Sequence, residues 1–161
     1  MDPSSIRVLV VDDYNPWHHF VSTMLRKQPE LKIIEDVSDG LTAVQRAQEL
    51  QPDLILLDIG LPTISGLEVA RRIRECAPQS KILFVSENRS PDIAEEALGT
   101  GAGGYLVKSD AVSELLPAIK AVLEGKRFIS TSLAGHFLVA TTLSTQTVSL
   151  SWMLTLIFRV H

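Results

Sequence analysis

The chain has 161 residues, 45% hydrophobic and 21% charged, which suits one globular domain with an appendage and excludes a disordered or fibrous chain. Residues 1–125 carry 12 Lys and Arg against 19 Asp and Glu, net −7, while residues 126–161 carry three basic residues and no acidic one, net +3. So acidic a main body is a poor non-specific partner for nucleic acid, which needs clustered Lys and Arg, and the lone Cys76 excludes an internal disulfide and fits a reducing, cytoplasmic setting.

Met1–Ser5 leads straight into a strand-like run and does not read as a secretory signal. From there, short apolar runs alternate with helix-period segments. The first run, IRVLVV (6–11), precedes Trp17, Phe20, Val21, Met24 and Leu25, which share a helical face that Asn15–Pro16 caps and opens. LKIIEDV (31–37) is followed by a stripe of Leu41, Val44 and Ala47, and DLILL (53–57) by Val69, Ala70 and Ile73. KILFVS (81–86) precedes a helix opened by Ser90–Pro91 and holding Ile93, Ala97 and Leu98. GYLV (104–107) precedes the clearest stripe, Val112, Leu115, Leu116, Ile119, Val122 and Leu123, stopped by Gly125. Near-continuous aliphatic runs of this kind read as buried parallel strands. Five strand–helix units predict an α/β, doubly wound, five-stranded parallel sheet with right-handed crossovers over residues 6–125.

Ligands of such sheets bind beyond the carboxyl ends of the strands. The first run ends in Asp12–Asp13, the third in Asp58, the fourth in Ser86 and the fifth in Lys108. Any one of these alone reads as a turn or helix cap. Together they would gather carboxylates, a hydroxyl and an ammonium on one edge. Three carboxylates at close range repel unless a cation intervenes, and Mg²⁺ suits an oxygen set that works on phosphate. Lys108 adds a point charge for a phosphoryl oxygen.

VLVVDDY (8–14), DLILLDIGLPTISGLEVARRIR (53–74), ILFVSE (82–87) and GAGGYLVKSDAVSELLPAIKAVLEG (101–125) resemble the receiver domain of bacterial two-component response regulators. That resemblance implies a flavodoxin-like (βα)5 fold and a phospho-accepting Asp58, loaded from a phosphohistidine on a sensor histidine kinase. It makes Asp12 and Asp13 the acidic pair that holds Mg²⁺, or Mn²⁺, with Asp58 and the backbone carbonyl of Gly60 completing the shell. Ser86 matches the switch hydroxyl, Lys108 the lysine of the pattern, and Tyr105 the aromatic that changes rotamer with activation. The responding surface is that of the fourth helix, fifth strand and fifth helix. Ser109 and Leu61 depart from commoner residues without touching a catalytic role, and Gly60 and Asn88 flank the path of hydrolytic water. Such a receiver acts on its own aspartate only and is not otherwise an enzyme.

Other features carry less. GTGAGG (99–104) follows a helix and precedes a strand, the reverse of a dinucleotide loop. His18 and His19 point about 100° apart around their helix and read as partly exposed rather than as metal ligands; a kinase-docking face shared with Tyr14, Asn15 and Trp17 is the second reading. Arg71, Arg72 and Arg74 read as a solvated face.

Residues 104–130 most resemble receivers of the LuxR/NarL type, whose usual output is a helix-turn-helix module that binds DNA. That module needs about 60 residues and a basic recognition helix, whereas 36 residues follow Gly125 and residues 128–158 hold no Lys, Arg, Asp or Glu. The expectation for 126–161 is therefore a linker helix starting within 130–140 and a non-family tail, with any DNA contact made through a domain absent from this chain. TTLSTQT (141–147) reads as a polar linker. VSLSWMLTLIF (148–158) alternates with the period of a strand and is too short to span a membrane as a helix. It reads as a divergent end, or as an edge strand that pairs two copies into a homodimer.

The functional expectation is a phosphorylation-controlled switch for transcription. A stand-alone receiver acting through protein contacts is the alternative. An aspartyl-nucleophile phosphatase ranks below both, since it wants a second acid where Gly60 stands.

Overall fold

Four aliphatic residues in a row, Leu54–Leu57, have no polar face to show water, and all four are buried. Successive strand side chains point to opposite faces, so the chain must cover both sides of the sheet. The computed structural model, which describes residues 4–137, shows this arrangement. Six parallel strands lie in the order β2-β1-β3-β4-β5-β6: β1 (Ile6–Val11), β2 (Leu31–Val37), β3 (Leu54–Leu57), β4 (Lys81–Ser86), β5 (Gly104–Val107) and β6 (Phe128–Ile129).

Five helices cover the two faces: α1 (Asn15–Leu25), α2 (Gly40–Leu50), α3 (Gly66–Cys76), α4 (Pro91–Gly99) and α5 (Ala111–Leu123). Ile55 and Leu57 join Leu9, Val11, Phe84 and Tyr105 in a core layer under α2, α3 and α4. Leu54 and Leu56 join Val8, Val10, Leu83 and Leu106 under α1 and α5. Local sequence sets the helix starts. The Asp39 side chain accepts from Thr42 N, and that of Ser65 from Glu68 N. Pro16 and Pro91 sit in the first turns of α1 and α4. Between α4 and β5, Gly101 adopts φ +93°, a left-handed turn that glycine reaches without strain.

The doubly wound parallel sheet expected from the sequence is present, with one strand more than expected. Phe128–Ile129 adds a short parallel edge to β5, pairing Gly104 with Phe128 and Tyr105 with Ile129. After it, residues 131–137 are helical (α6), within the span read as a linker helix. Leu133 is buried in the α2–α3–α4 layer and Phe137 packs against it. The readings of 141–147 and 148–158 lie outside the described residues. Among the described residues no helix is long and apolar enough to cross a membrane.

Two helix faces differ from the apolar stripes. In α2 the buried residues are Gly40, Ala43 and Ala47, and Leu41 is 49% exposed. The cap at Asp39 fixes the helix phase, and a Cβ at Gly40 would lie 2.4 Å from the Ile64 carbonyl oxygen. Only small side chains fit against that loop. In α5 Ala111 is buried and Val112 is 76% exposed.

Candidate functional site

β1 and β3 are adjacent and parallel, with Val11 opposite Leu57, so the residues that follow them emerge side by side. Asp58 N donates to the Val11 carbonyl at 3.0 Å and Asp12 N to the Val37 carbonyl at 3.0 Å, which extends the ladder into both turns. Asp12 and Asp58 are buried and Asp13 is exposed. Carboxylate oxygens of the three lie within 4.8 Å of one another, a group that could hold a metal ion.

Each buried carboxylate divides its oxygens between two tasks. Asp58 Oδ1 accepts from Ile59 N at 2.8 Å, and Asp12 Oδ1 from Tyr14 N at 2.9 Å. The turn-cap reading is therefore correct for one oxygen of each. The other oxygens face Lys108, whose Nζ is 2.6 Å from Asp12 Oδ2 and 3.8 Å from Asp58 Oδ2. The contact to Asp12 is an ion pair whose geometry falls short of a hydrogen bond, so a buried carboxylate oxygen keeps unsatisfied lone pairs. Lys108 alone balances two buried carboxylates, and a small hard cation beside them would complete the charge balance. The residues present fit a divalent metal.

Burial pushes the Asp58 carboxyl above its ordinary value; Lys108 pulls it down and the Asp12 charge pushes it up again. Lys108 opens a 3-10 turn, Lys108–Asp110, directly after β5, and its Nζ also sits 5.1 Å from the centroid of the Trp17 ring.

The neighbouring strand end supplies the hydroxyls. Ser86, at the end of β4, is buried, and its Oγ accepts from Asn88 N at 3.1 Å. Tyr105 on β5 is fully buried; its OH donates to the Asn88 carbonyl at 2.7 Å and also meets Ser86. Burial raises the Tyr105 phenol above its ordinary value, with the Ser86 contact opposing. The bond to the Asn88 carbonyl and complete burial thus hold the ring inward. A cleft of about 590 Å³ opens over this edge, lined by Asp13, Asp58, Gly60, Ser86, Asn88 and Lys108 among others.

All the residues named from the strand ends therefore meet at one place, Asp13 at its exposed rim and Tyr105 beneath Ser86. Gly60 lines the cleft, but a Cβ there would meet nothing within 4 Å and its φ is not left-handed; glycine is not sterically required to turn that carbonyl. The glycine that space demands is Gly66, where a Cβ would lie 1.9 Å from the Asp58 carbonyl oxygen and whose N donates to the Ile59 carbonyl at 2.8 Å. Being the first residue of α3 behind the Ser65 cap was its sequence signal.

His18 is half-buried and spends both ring nitrogens on protein, Nδ1 on Asp36 at 2.8 Å and Nε2 on the Asp12 carbonyl. Burial opposes its charge, yet these partners raise its pKa overall. It braces Asp12 and is not offered as a ligand, while His19 is exposed. Arg71 and Arg72 pair with Glu68, and Arg71 also with Glu96, on the solvated face.

A family model described as "Response regulator receiver domain" matches residues 8–120. The chain is 31% identical over 129 residues to the transcriptional regulatory protein DegU of Brevibacillus brevis, covering 80% of this chain and 55% of that protein. It is 33% identical over 129 residues to the response regulator GacA of Pseudomonas viridiflava, covering 80% and 60% respectively. The chain thus spans somewhat more than half the length of these relatives. The crystal structure of a LuxR-family two-component response regulator from Aurantimonas sp. SI85-9A1 superposes with a TM-score of 0.80 at 28% identity, covering 86% of this chain and 99% of that one.

Proposed function

Because this chain belongs to the response regulator receiver family, we propose that it accepts a phosphoryl group on Asp58 from the phosphohistidine of a sensor histidine kinase. The observation that carries the reading is the divided use of Asp58: Oδ1 is tied to Ile59 N, while Oδ2 faces Lys108 Nζ at 3.8 Å inside the cleft. Oδ2 attacks the phosphorus in line, the phosphorus–nitrogen bond to the donor imidazole breaks, and an acyl phosphate forms on Asp58. Lys108 neutralises charge on the transferred oxygens. Asp12, Asp13, Asp58 and the Gly60 carbonyl would hold Mg²⁺, or Mn²⁺, which supplies further charge neutralisation when bound. The protein turns over its own Asp58 and no separate substrate.

Ser86 then bonds a phosphoryl oxygen, and its link to Tyr105 carries the event into β5. The inward ring of Tyr105 is the position that phosphorylation would favour, so the modification shifts a population rather than building a new state. The altered surface is that of α4, β5 and α5. Two matched relatives are named as a transcriptional regulatory protein and a response regulator, and both are longer than the matched region. On that ground the output is control of transcription through a DNA-binding domain outside the described residues.

The test is incubation of the full chain with acetyl phosphate and Mg²⁺, followed by intact mass. The expected result is one added phosphoryl group, absent after chelation and absent in Asp58→Asn. Undiminished labelling of Asp58→Asn overturns the assignment.

A further inference from the structure

We propose that Trp17 is a positioning residue for Lys108, holding the ammonium beside Asp58 by the face of its indole ring. The inference rests on the phosphoryl-acceptor reading of Asp58 and adds to it a residue from another element. Trp17 lies on the first turn of α1, is 8% exposed, and stacks on Phe20 at 5.2 Å and 33°. Its ring is thereby fixed in the apolar layer with Val21, Ala111 and Leu115. The Lys108 side chain is 11% exposed and has Asp12, Asp58 and this ring about its Nζ.

The chemistry of the site explains why a carboxylate alone cannot hold this lysine. Its four-carbon stem is flexible and loses rotamer freedom when pinned. In the described state the strongest attraction is to Asp12 Oδ2 at 2.6 Å. Asp12 is also a member of the carboxylate group that a cation would claim, and this oxygen is free of any other hydrogen bond. A cation on the cluster cancels the charge that pins Lys108, at the moment when the ammonium is needed next to Asp58. The indole face binds no such cation in competition and carries no titratable charge. Its attraction for an ammonium strengthens as water is excluded. Trp17 therefore keeps Lys108 in place while Asp12 changes partner. A leucine would fill much of the same core volume and lack the quadrupole; phenylalanine would keep a weaker one.

The experiment uses the full chain carrying Trp17→Leu or Trp17→Phe, each also combined with Lys108→Met. In urea unfolding without added metal, Trp17→Leu should reduce the folding equilibrium constant about thirtyfold more when Lys108 is intact than in the Lys108→Met background, the size of a desolvated ammonium–indole contact. In labelling by acetyl phosphate with Mg²⁺, Trp17→Leu should lower the maximal rate about tenfold with little change in the half-saturating acetyl phosphate concentration, and Trp17→Phe should recover most of it. Equal losses of stability in both backgrounds would make Trp17 an ordinary core residue and overturn the proposal, as would a wild-type rate in Trp17→Leu. No labelling of the wild-type chain would instead overturn the acceptor reading, and with it the role of the pair in phosphorylation.

Discussion

Ser130 Oγ accepts a hydrogen bond from the backbone nitrogen of Val107 at 2.7 Å, one residue before Lys108. Ser130 is completely buried, its own nitrogen donates to the Tyr105 carbonyl at 2.9 Å, and its hydroxyl donates to Glu114 on α5. The residue thus closes the edge of β5 where β6 ends and α6 begins. Ser130→Ala would leave the Val107 N–H buried without an acceptor, at a cost of about 1–3 kcal/mol. We expect a lower urea midpoint and faster amide exchange at Val107. An unchanged midpoint would mean that the edge is closed by something else.

Asp58 is held protonated more strongly in the folded chain than in the unfolded one, chiefly by burial. A carboxyl raised in this way contributes its full stability below the unfolded value of 3.8 and loses it as pH rises through the folded value. Ionised Asp58 is therefore a cost at neutral pH. Asp58→Asn should be more stable than wild type at pH 7. The gap should narrow as pH falls towards 4, and paired urea titrations at several pH values would measure it. A less stable Asp58→Asn at pH 7 would contradict the stated balance of burial against Lys108.

Gly66 and Gly60 are separated by six positions and by their surroundings. A methyl at Gly66 would press on the Asp58 carbonyl oxygen at 1.9 Å, and one at Gly60 would enter open space. Gly66→Ala should destabilise the chain by about 1–3 kcal/mol or more, since backbone must move. It should also slow labelling, because Asp58 moves with it. Gly60→Ala should stay within about 0.5 kcal/mol of wild type. Thermal melts and labelling rates on both variants make the comparison, and the reverse ranking would refute it.

Pro117 lies in the interior of α5 and faces solvent. It removes one backbone donor and crowds the preceding turn, a cost of about 3 kcal/mol in an unstrained helix. Pro117→Ala should raise the thermal midpoint, with a gain of about 1–3 kcal/mol because the native helix has already adapted to the ring. A fall in the midpoint would show that the ring packs against the fold in a way its exposure does not suggest.

The strand ends were legible in the sequence because they need no distances. In a parallel sheet every strand delivers its carboxyl end to the same edge, so Asp12, Asp13, Asp58, Ser86 and Lys108 had to converge once their runs were identified as strands. The helix faces were less legible. Leu41 and Val112 are large and apolar and belong to the expected stripes, yet both are exposed; at α2 the Asp39 cap and the close approach of Gly40 to Ile64 set the phase, and small residues, Ala43, Ala47 and Ala111, took the buried places. The two-residue strand β6 is too short for any periodicity to register.

What the sequence determined by itself was therefore the layer order, the edge at which the candidate site residues gather and the residue types on it, all consequences of alternation and chain direction. Tertiary structure alone decided which oxygen of each aspartate is spent on its turn, that an indole from α1 stands over Lys108, and that Ser130 closes β5. Those depend on side chains from elements distant in sequence meeting within a few ångströms. No local pattern encodes such a meeting, because it is fixed by how the helices settle onto the finished sheet.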